Sequence, residues 1–265
     1  MMWEQIILGM IQGIAEWLPV SSEGLLVLAK THLWPGQENI EALIQQALSL
    51  HLGTFLAALV YLRKDVVRLI KALGRFRSQS QETQNLIIFL LVSTLISGIL
   101  GLMLIKLLSH VMDTFHNTGK LITLLIGLLL LGTGFLQLRA KKDGLKEIKD
   151  LNIVDGVVLG FVQGLAALPG LSRSGLTVSA FLLRKFDKIQ ALKLSFLMSL
   201  PIVLGGNIIL NFHDFIWSSS IITGIAASFF FGLATIHLLL KLAQKINFGY
   251  FVLIFGLATI VFTLV

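Results

Sequence analysis

The chain has 265 residues, of which 55% are hydrophobic and only 13% are charged, and its mean hydropathy is +0.88. A soluble protein has roughly 25% charged residues, so the composition predicts an integral membrane protein. The chain contains no cysteine, which excludes disulfides and thiolate metal sites. The net charge of +7 does not indicate nucleic-acid binding, because the basic residues are concentrated in a few loops between apolar segments.

The first hydrophobic segment, residues 6–29, is interrupted in its middle. Pro19 is followed by the run Ser21-Ser22-Glu23-Gly24. Irregular backbone at membrane depth is tolerated only where it is buried in protein or lines a cavity. The segment therefore predicts a re-entrant hairpin of two half-helices rather than a straight span.

Six uninterrupted apolar segments have the length of about 20 residues that a transmembrane helix needs. In chain order they are Leu43–Leu62, Leu86–Leu108, Leu121–Leu138, Ala191–Leu210, Ile221–Leu240 and Phe248–Val265. Seventeen of the 21 Lys and Arg residues lie in the stretches 63–77, 139–149, 184–193 and 241–245. By the positive-inside rule these stretches are cytoplasmic, and 139–152 is predicted to be a cytoplasmic linker.

The segment 153–183 repeats the first interrupted segment at an offset of 151 residues. Of the seventeen paired positions from Gly9 and Gly160 onward, seven are identical. Three spans separate the two copies, so the copies are expected to enter the membrane from opposite sides. The predicted fold is an all-α integral membrane protein with two inverted-topology repeats, 1–138 and 153–265, each a re-entrant helical hairpin plus three transmembrane helices. Paired interrupted segments of this kind indicate a binding site at the interface between the repeats.

Ionisable side chains inside the interrupted segments are candidates for a functional site, because charge at membrane depth is costly. The charged residues are Glu16, Glu23 and Arg173, and the polar residues around them are Gln12, Ser21, Ser22, Gln163, Ser172, Ser174 and Thr177. Two half-helix N-termini, a guanidinium and several hydroxyls together predict a site for phosphate or carboxylate. The alternative is structural: the serines cap helices while Arg173 pairs with one of the acids. For His51, deep in the first span, the expected role is a hydrogen-bonded contact between helices.

Two motifs in these segments resemble those of a known family. The stretch 169–177, Pro-Gly-Leu-Ser-Arg-Ser-Gly-Leu-Thr, is similar to the PGxSRSxxT signature of the undecaprenyl pyrophosphate phosphatase (bacitracin-resistance) family. The stretch 12–22 resembles its (E/Q)xxxE motif running into LPxSS, and the likeness extends over essentially the whole chain. The resemblance implies a plasma-membrane enzyme that hydrolyses a polyprenyl diphosphate to the monophosphate and phosphate at the outer face. It also implies a divalent cation, Mg²⁺ or Ca²⁺.

The resemblance assigns roles to individual residues. Glu16 corresponds to the catalytic acid, with Gln12 as its companion. The diphosphate-binding group corresponds to Arg173 with Ser172, Ser174 and Thr177. Gln12, Ser21 and Gly170 are expected to contact the substrate as well. Glu16, together with Glu23, is expected either to hold the cation or to act as general base, and the nucleophile is either Ser22 or an activated water.

One position departs from the family pattern. The family motif usually continues SSxGH, whereas this chain has Leu25 at the histidine position and Glu23 two residues earlier. Either Glu23 has taken over the acid–base task, or the chain is a paralogue with another substrate or without hydrolase activity.

The sequence is also compatible with two other functions. One is a transporter or flippase for a polyprenyl phosphate or a similar anionic lipid, because inverted repeats with broken helices are a transporter architecture. The other is a hydrolase of a different lipid diphosphate. In each case the expected partners are an anionic lipid and the bilayer, without nucleic acid, and the oligomeric state stays open, a homo-oligomer included.

Overall fold

The structure is a computed structural model that describes residues 2–34, 40–114, 118–139, 144–168, 170–210, 218–242 and 248–264. Within these residues the regular secondary structure is helical, apart from one isolated bridge between Lys146 and Phe186. The α-helices are α1 Met2–Ala15, α2 Ser22–Leu33, α3 Ile40–Tyr61, α4 Arg63–Leu73, α5 Gln81–Thr114, α6 Thr118–Arg139, α7 Ile153–Leu165, α8 Arg173–Leu183, α9 Lys188–Leu210, α10 Ser219–Leu242 and α11 Phe248–Leu264. Two short 3-10 turns lie at Phe76–Ser78 and Ile148–Asp150.

Each of the six predicted spans coincides with one helix: α3, α5, α6, α9, α10 or α11. By length and composition, three helical stretches of the described chain can cross a membrane: Gln81–Leu107, Lys188–Leu210 and Ser219–Lys241. A fourth is obtained if α3 and α4 count as one bent span. The outer face of α5 carries a row of apolar side chains that are each more than half exposed, Leu91, Leu95, Ile99, Met103 and Leu107. An apolar row of this length on the surface suits lipid rather than water, and the chain is a multi-pass membrane protein.

The basic segment after the first span is a helix, and its interpretation as a loop was wrong. Helix α4 turns away from α3 by 83°. It combines the basic residues Arg63, Lys64, Arg68 and Lys71 with the apolar residues Val66, Leu69, Ile70 and Leu73. This amphipathic pattern is typical of a helix that lies at the membrane interface. The Nζ atom of Lys193 on α9 lies 2.8 Å from Oδ1 of Asp65, which ties α4 to the start of α9.

Both interrupted segments form a pair of helices separated by a short irregular stretch. Residues 16–21 separate α1 from α2, and residues 166–172 separate α7 from α8. The second pair has the predicted bounds, 153–183, whereas the first extends beyond 6–29 at both ends. At the open end of each pair, a buried acid of the first helix meets a basic residue at the end of the second: Glu4 with Lys30 and Asp155 with Arg184.

Each of these helix pairs packs against a span from the other half of the chain. Helix α1 packs on α10, and α7 packs on α5. The contacts use glycines, because a Cβ atom on Gly13 would lie 2.7 Å from the carbonyl oxygen of Ser228, and one on Gly160 would lie 2.9 Å from that of Ser93. Small residues let helix backbones approach this closely in membranes. Helix α3 packs on α9, and α6 packs on α11.

Candidate active site

The two chain breaks have the same local geometry. Ser21 and Ser172 both have extended backbone angles and stand one residue before a helix. The Oγ of Ser21 accepts a hydrogen bond from the Gly24 N–H at 3.1 Å, and the Oγ of Ser172 accepts one from Gly175 N–H at 3.1 Å. Both serines are therefore N-caps, which leaves the first N–H groups of α2 and α8 at the centre of the molecule.

The two breaks contact each other directly. The N–H of Gly170 donates to Oγ of Ser21 at 3.1 Å, and Oγ of Ser174 donates to the carbonyl oxygen of Leu18 at 2.7 Å. Gly170 has a φ of 101°, a conformation that side chains other than glycine's rarely adopt. The neighbouring Pro169 of the predicted motif lies outside the described residues. The sequence repeat thus brings its two centres together, as the predicted site at their interface requires.

Glu16 is the centre of this contact. Its Oε1 lies 2.5 Å from Nη2 of Arg173, so the acid of the first break is paired with the base of the second. Its Oε2 accepts hydrogen bonds from Nε2 of Gln12 at 2.9 Å and from Oγ of Ser22 at 2.8 Å. The residue is only 6% exposed, and a buried carboxylate needs such partners to stay ionised.

His51 completes the group from a helix that sequence reasoning had not connected to the site. Its Nε2 lies 3.1 Å from Oε2 of Glu16, and its Nδ1 lies 2.6 Å from the carbonyl oxygen of Ala47. The predicted contact between helices is present, but its partner is the candidate catalytic acid itself. A polar residue deep in an apolar span was the only signal, and it did not identify the partner.

Arg173 is held in a fixed orientation. Its Nη1 donates to the carbonyl oxygen of Ser195 at 3.3 Å, and its Cζ lies 5.6 Å from the centre of the Trp17 ring. Oγ1 of Thr177 donates to the Arg173 carbonyl oxygen at 2.8 Å and lies 2.7 Å from Oγ of Ser195. These contacts fix a guanidinium whose side chain is 14% exposed, so that it faces the cavity described next.

A cavity of about 840 Å³ opens beside this polar group. Its polar end is formed by Glu16, Ser21, Ser22, Glu23, His51, Ser172 and Arg173. The remaining lining is mostly apolar and comes from α3, α4, α5 and α9, with smaller contributions from the end of α7 and from the two chain breaks. On α5 alone it runs from Ile87 to Ile105, which at 1.5 Å per residue is about 27 Å, close to the thickness of a bilayer's hydrocarbon core. The shape suits a ligand with a charged head and a long apolar tail.

The predicted site residues divide into two groups. Glu16, Ser21, Ser22, Glu23, Ser172 and Arg173 line the cavity. Gln12, Gly170, Ser174 and Thr177 lie behind them and support them through the hydrogen bonds given above. The Glu23 side chain is half-buried and forms no hydrogen bond or ion pair within the described part of the chain. Leu25, at the departing position, packs instead against the apolar cluster of Ala15, Val20 and Leu130.

The sequence predicts a divalent cation at Glu16 together with Glu23, and of these two acids Glu23 has the more exposed side chain and no hydrogen-bond donor in the described chain. A cation needs oxygen atoms with free lone pairs, and both oxygens of Glu16 already accept from donors. In the described chain, no three Asp, Glu or His side chains gather as a metal site. A cation here would therefore combine the Glu23 carboxylate with oxygens of a bound diphosphate and water, which is how Mg²⁺ often binds in phosphoryl-transfer sites.

Comparisons with known proteins agree with these observations. A family model described as bacitracin resistance protein BacA matches residues 5–261. The undecaprenyl-diphosphatase of Methanococcoides burtonii is 43% identical over 262 residues, which cover 97% of this chain and 96% of the relative. That of Methanothrix thermoacetophila is 36% identical (98% and 96% covered), and that of Alkaliphilus metalliredigens is 33% identical (94% and 93% covered). The chain therefore belongs to the bacitracin resistance protein BacA family.

Proposed function

We propose that the chain hydrolyses undecaprenyl diphosphate to undecaprenyl monophosphate and phosphate, and so recycles the lipid carrier of cell-wall synthesis. The observation that carries the proposal is the cavity, whose polar end holds an arginine and two helix N-termini and whose long remainder is apolar. Such a cavity accommodates a diphosphate head and a prenyl tail at the same time. The relatives are named for this hydrolysis, which does not support the transporter or flippase alternative.

Arg173 and the N–H groups at the starts of α2 and α8 bind the diphosphate. A guanidinium offers two parallel N–H donors that match phosphate oxygens, and helix N-termini favour anions. Ser172 lines the same end of the cavity, while Ser174 and Thr177 keep Arg173 and its helix in place. These donors also stabilise the charge that develops on the leaving monophosphate.

Ser22 attacks the terminal phosphorus, and Glu16 is its general base. The 2.8 Å hydrogen bond from Oγ of Ser22 to Oε2 of Glu16 is the nucleophile–base contact that such chemistry requires. As the new O–P bond forms, the Ser22 proton passes to Glu16 and the bond from phosphorus to the bridging oxygen breaks. Its electron pair stays on the undecaprenyl monophosphate. Water then attacks the phosphoserine, which releases phosphate and restores the serine. Direct attack by water, with Glu16 as the same base, is the alternative that the geometry also allows.

Glu23 would hold the divalent cation against the diphosphate oxygens or exchange protons with the reacting groups. Its half-buried carboxylate lines the cavity beside Glu16 without a hydrogen-bond partner in the described chain, so it is available for either task. A cation bound there would offset phosphate charge.

The test is phosphate release by the purified chain in lipid nanodiscs that contain undecaprenyl diphosphate, with Mg²⁺, with Ca²⁺ and with a chelator. Stoichiometric phosphate and monophosphate are expected. Binding or transfer of the lipid between leaflets without phosphate release would contradict the proposal. A comparison with a fifteen-carbon prenyl diphosphate tells whether another lipid diphosphate is the better substrate.

The finer architecture is part of the proposal: two inverted repeats, each a re-entrant hairpin plus three spans, in the plasma membrane with the active site facing outward. The matched breaks and the exchange of partners, α1 on α10 and α7 on α5, support it. The chain has no cysteine, so Ser80→Cys and Ser219→Cys provide single labelling sites at exposed positions. A membrane-impermeant thiol reagent applied to whole cells should label Ser219→Cys and not Ser80→Cys. Labelling of both from the same side would contradict the inverted topology.

A further inference from the structure

In the proposed reaction, two anionic groups bind the guanidinium of Arg173. Its guanidinium pairs with Oε1 of Glu16 at 2.5 Å, and the proposed function assigns the same guanidinium to the diphosphate. A diphosphate carries more negative charge than one carboxylate, so it competes with Glu16 for the N–H donors of the guanidinium. Glu16, which is almost fully buried, then loses part of the contact that holds it in place.

We infer that His51 is a positioning residue that keeps the Glu16 carboxylate directed at Ser22 while Arg173 binds the diphosphate. This rests on the proposed function. His51 contacts Oε2, the oxygen that also accepts from Ser22, whereas Arg173 contacts Oε1. The two contacts are on different atoms and come from different helices. Competition between Glu16 and the diphosphate for Arg173 therefore leaves the His51 contact intact.

The histidine ring has a fixed orientation. Its Nδ1 lies 2.6 Å from the carbonyl oxygen of Ala47, which can only accept, so Nδ1 is a donor and the ring cannot rotate without losing that bond. The ring is buried, at 7% exposure, and its Nε2 points at Glu16. With Nδ1 donating to α3, Nε2 donates to the Glu16 carboxylate when the ring is the imidazolium, in which both nitrogens carry a proton.

The backbone on either side of this contact is also fixed, because α1 and α3 both pack on α10. Next to His51, Oγ of Ser228 donates to the carbonyl oxygen of Leu50 at 2.8 Å. A Cβ atom on Gly53 would lie 2.4 Å from the carbonyl oxygen of Ile225, so α3 meets α10 backbone to backbone. Gly13 makes the equally close approach of α1 to α10 three residues before Glu16. The distance between the acid and the histidine is therefore set by α10.

Three variants of the full chain, assayed in nanodiscs with undecaprenyl diphosphate, test the inference. His51→Leu removes the donor, and kcat should fall roughly 10- to 100-fold with KM within about 3-fold, as expected when a catalytic group is misplaced by about an ångström. His51→Gln can still donate an N–H to Glu16, and it should recover about 10-fold of that loss. Thr54→Val is the matched control. It removes a buried hydrogen bond from the same helix to the His51 carbonyl oxygen without touching Glu16, so kcat should stay within about 2-fold.

Several outcomes would overturn the inference. They are a wild-type kcat in His51→Leu, a loss equal to that in Thr54→Val, a rise in KM with kcat unchanged, or a His51→Gln variant no better than His51→Leu. If His51→Leu does not accumulate in the membrane, His51→Met, which also lacks a donor, takes its place. The wild-type chain in the same assay separates the two proposals. Absence of phosphate release there contradicts the proposed function, whereas full activity of both wild type and His51→Leu contradicts only the role of His51.

Discussion

The helix pairs α1–α2 and α7–α8 are nearly the same scaffold. Each has an N-capping serine at the same repeat position, Ser21 or Ser172, with the same 3.1 Å bond. Each has a buried acid near its first residue, Glu4 or Asp155, paired with a basic residue near its last. Each packs glycines against a span of the other half. These shared features stabilise each interrupted helix pair. They also place the N-termini of α2 and α8 at the polar end of the cavity.

The two helix pairs differ in a few residues at and just after their chain breaks, and these residues determine the chemistry of the site. At the offset of 151 residues, Ala167 stands where the first copy has Glu16, and Arg173 stands where it has Ser22. Ser174 likewise replaces Glu23. One copy therefore supplies the two acids and Ser22, the proposed nucleophile, and the other supplies the positive charge of Arg173. Neither copy contains a complete site, so the function exists only where the two meet.

The largest effect on catalysis is expected from substitution of Arg173, the positively charged residue of the second copy. Arg173→Ala and Arg173→Lys should each lower kcat/KM about 100-fold or more, because charge-assisted hydrogen bonds contribute about 1.5–3 kcal/mol each and lysine cannot replace the bidentate fork. Phosphate release per folded molecule is the measurement. Arg184→Lys is the matched control, since Arg184 belongs to the scaffold of the same copy and, among the acids of the described residues, pairs with Asp155 alone. Near-normal activity in folded Arg173→Ala would refute the division into an acidic and a basic copy.

A smaller but clear effect is expected at Glu23, the second acid of the first copy. Glu23→Gln should lower kcat roughly 10-fold, less than the about 100- to 10,000-fold that a general acid or base typically contributes, because Glu16 remains in place. It should also weaken activation by the divalent cation. The control is Glu82→Gln, at an exposed position in the first turn of α5. If Glu23 only caps its helix, the substitution costs about 0.5–1 kcal/mol of stability and leaves kcat and metal dependence unchanged.

Much of the helical scaffold was predictable because it depends on short-range patterns in the sequence. The apolar runs gave six helices, and the proline, serine and glycine positions gave both breaks and both caps. Helix α4 was not predicted, because a segment with many charged residues between two apolar spans is typical of a loop. The signal was present, since Val66, Leu69, Ile70 and Leu73 repeat at helical spacing.

The site was only partly predictable because its contacts depend on how helices pack. The repeat indicates that the break holding Glu16 meets the break holding Arg173, and the pairing of Arg173 with one of the acids was the structural alternative predicted from the sequence. The contact of His51 with Glu16 depends instead on where α1 and α3 touch α10, through Gly13 and Gly53, and a single sequence does not record that register. For the same reason, Leu25 could not be recognised as part of an apolar cluster rather than of the cavity.

The smallest difference in catalytic effect is expected between two glutamines that occupy the same position in the two copies. Gln12 and Gln163 occupy equivalent positions, yet Nε2 of Gln12 donates to Glu16 at 2.9 Å, whereas Nε2 of Gln163 donates to Oγ of Ser97 at 3.1 Å. In both residues the Oε1 atom is buried without a hydrogen-bond partner in the described chain, so replacing the amide with an apolar side chain also removes an unsatisfied acceptor.

Gln12→Leu and Gln163→Leu should therefore cost similar, small amounts of stability but differ in activity. Gln12→Leu removes one of the donors that fix the general base, and kcat should fall several-fold, up to about 10-fold. Gln163 also lines the cavity, so Gln163→Leu can change KM, but it leaves Glu16 untouched and kcat should stay within about 2-fold. The measurement is kcat for both variants at matched thermal stability in the same lipid. Equal losses would mean that the two glutamines act only in helix packing, and that the copies differ functionally at Glu16, Ser22 and Glu23 alone.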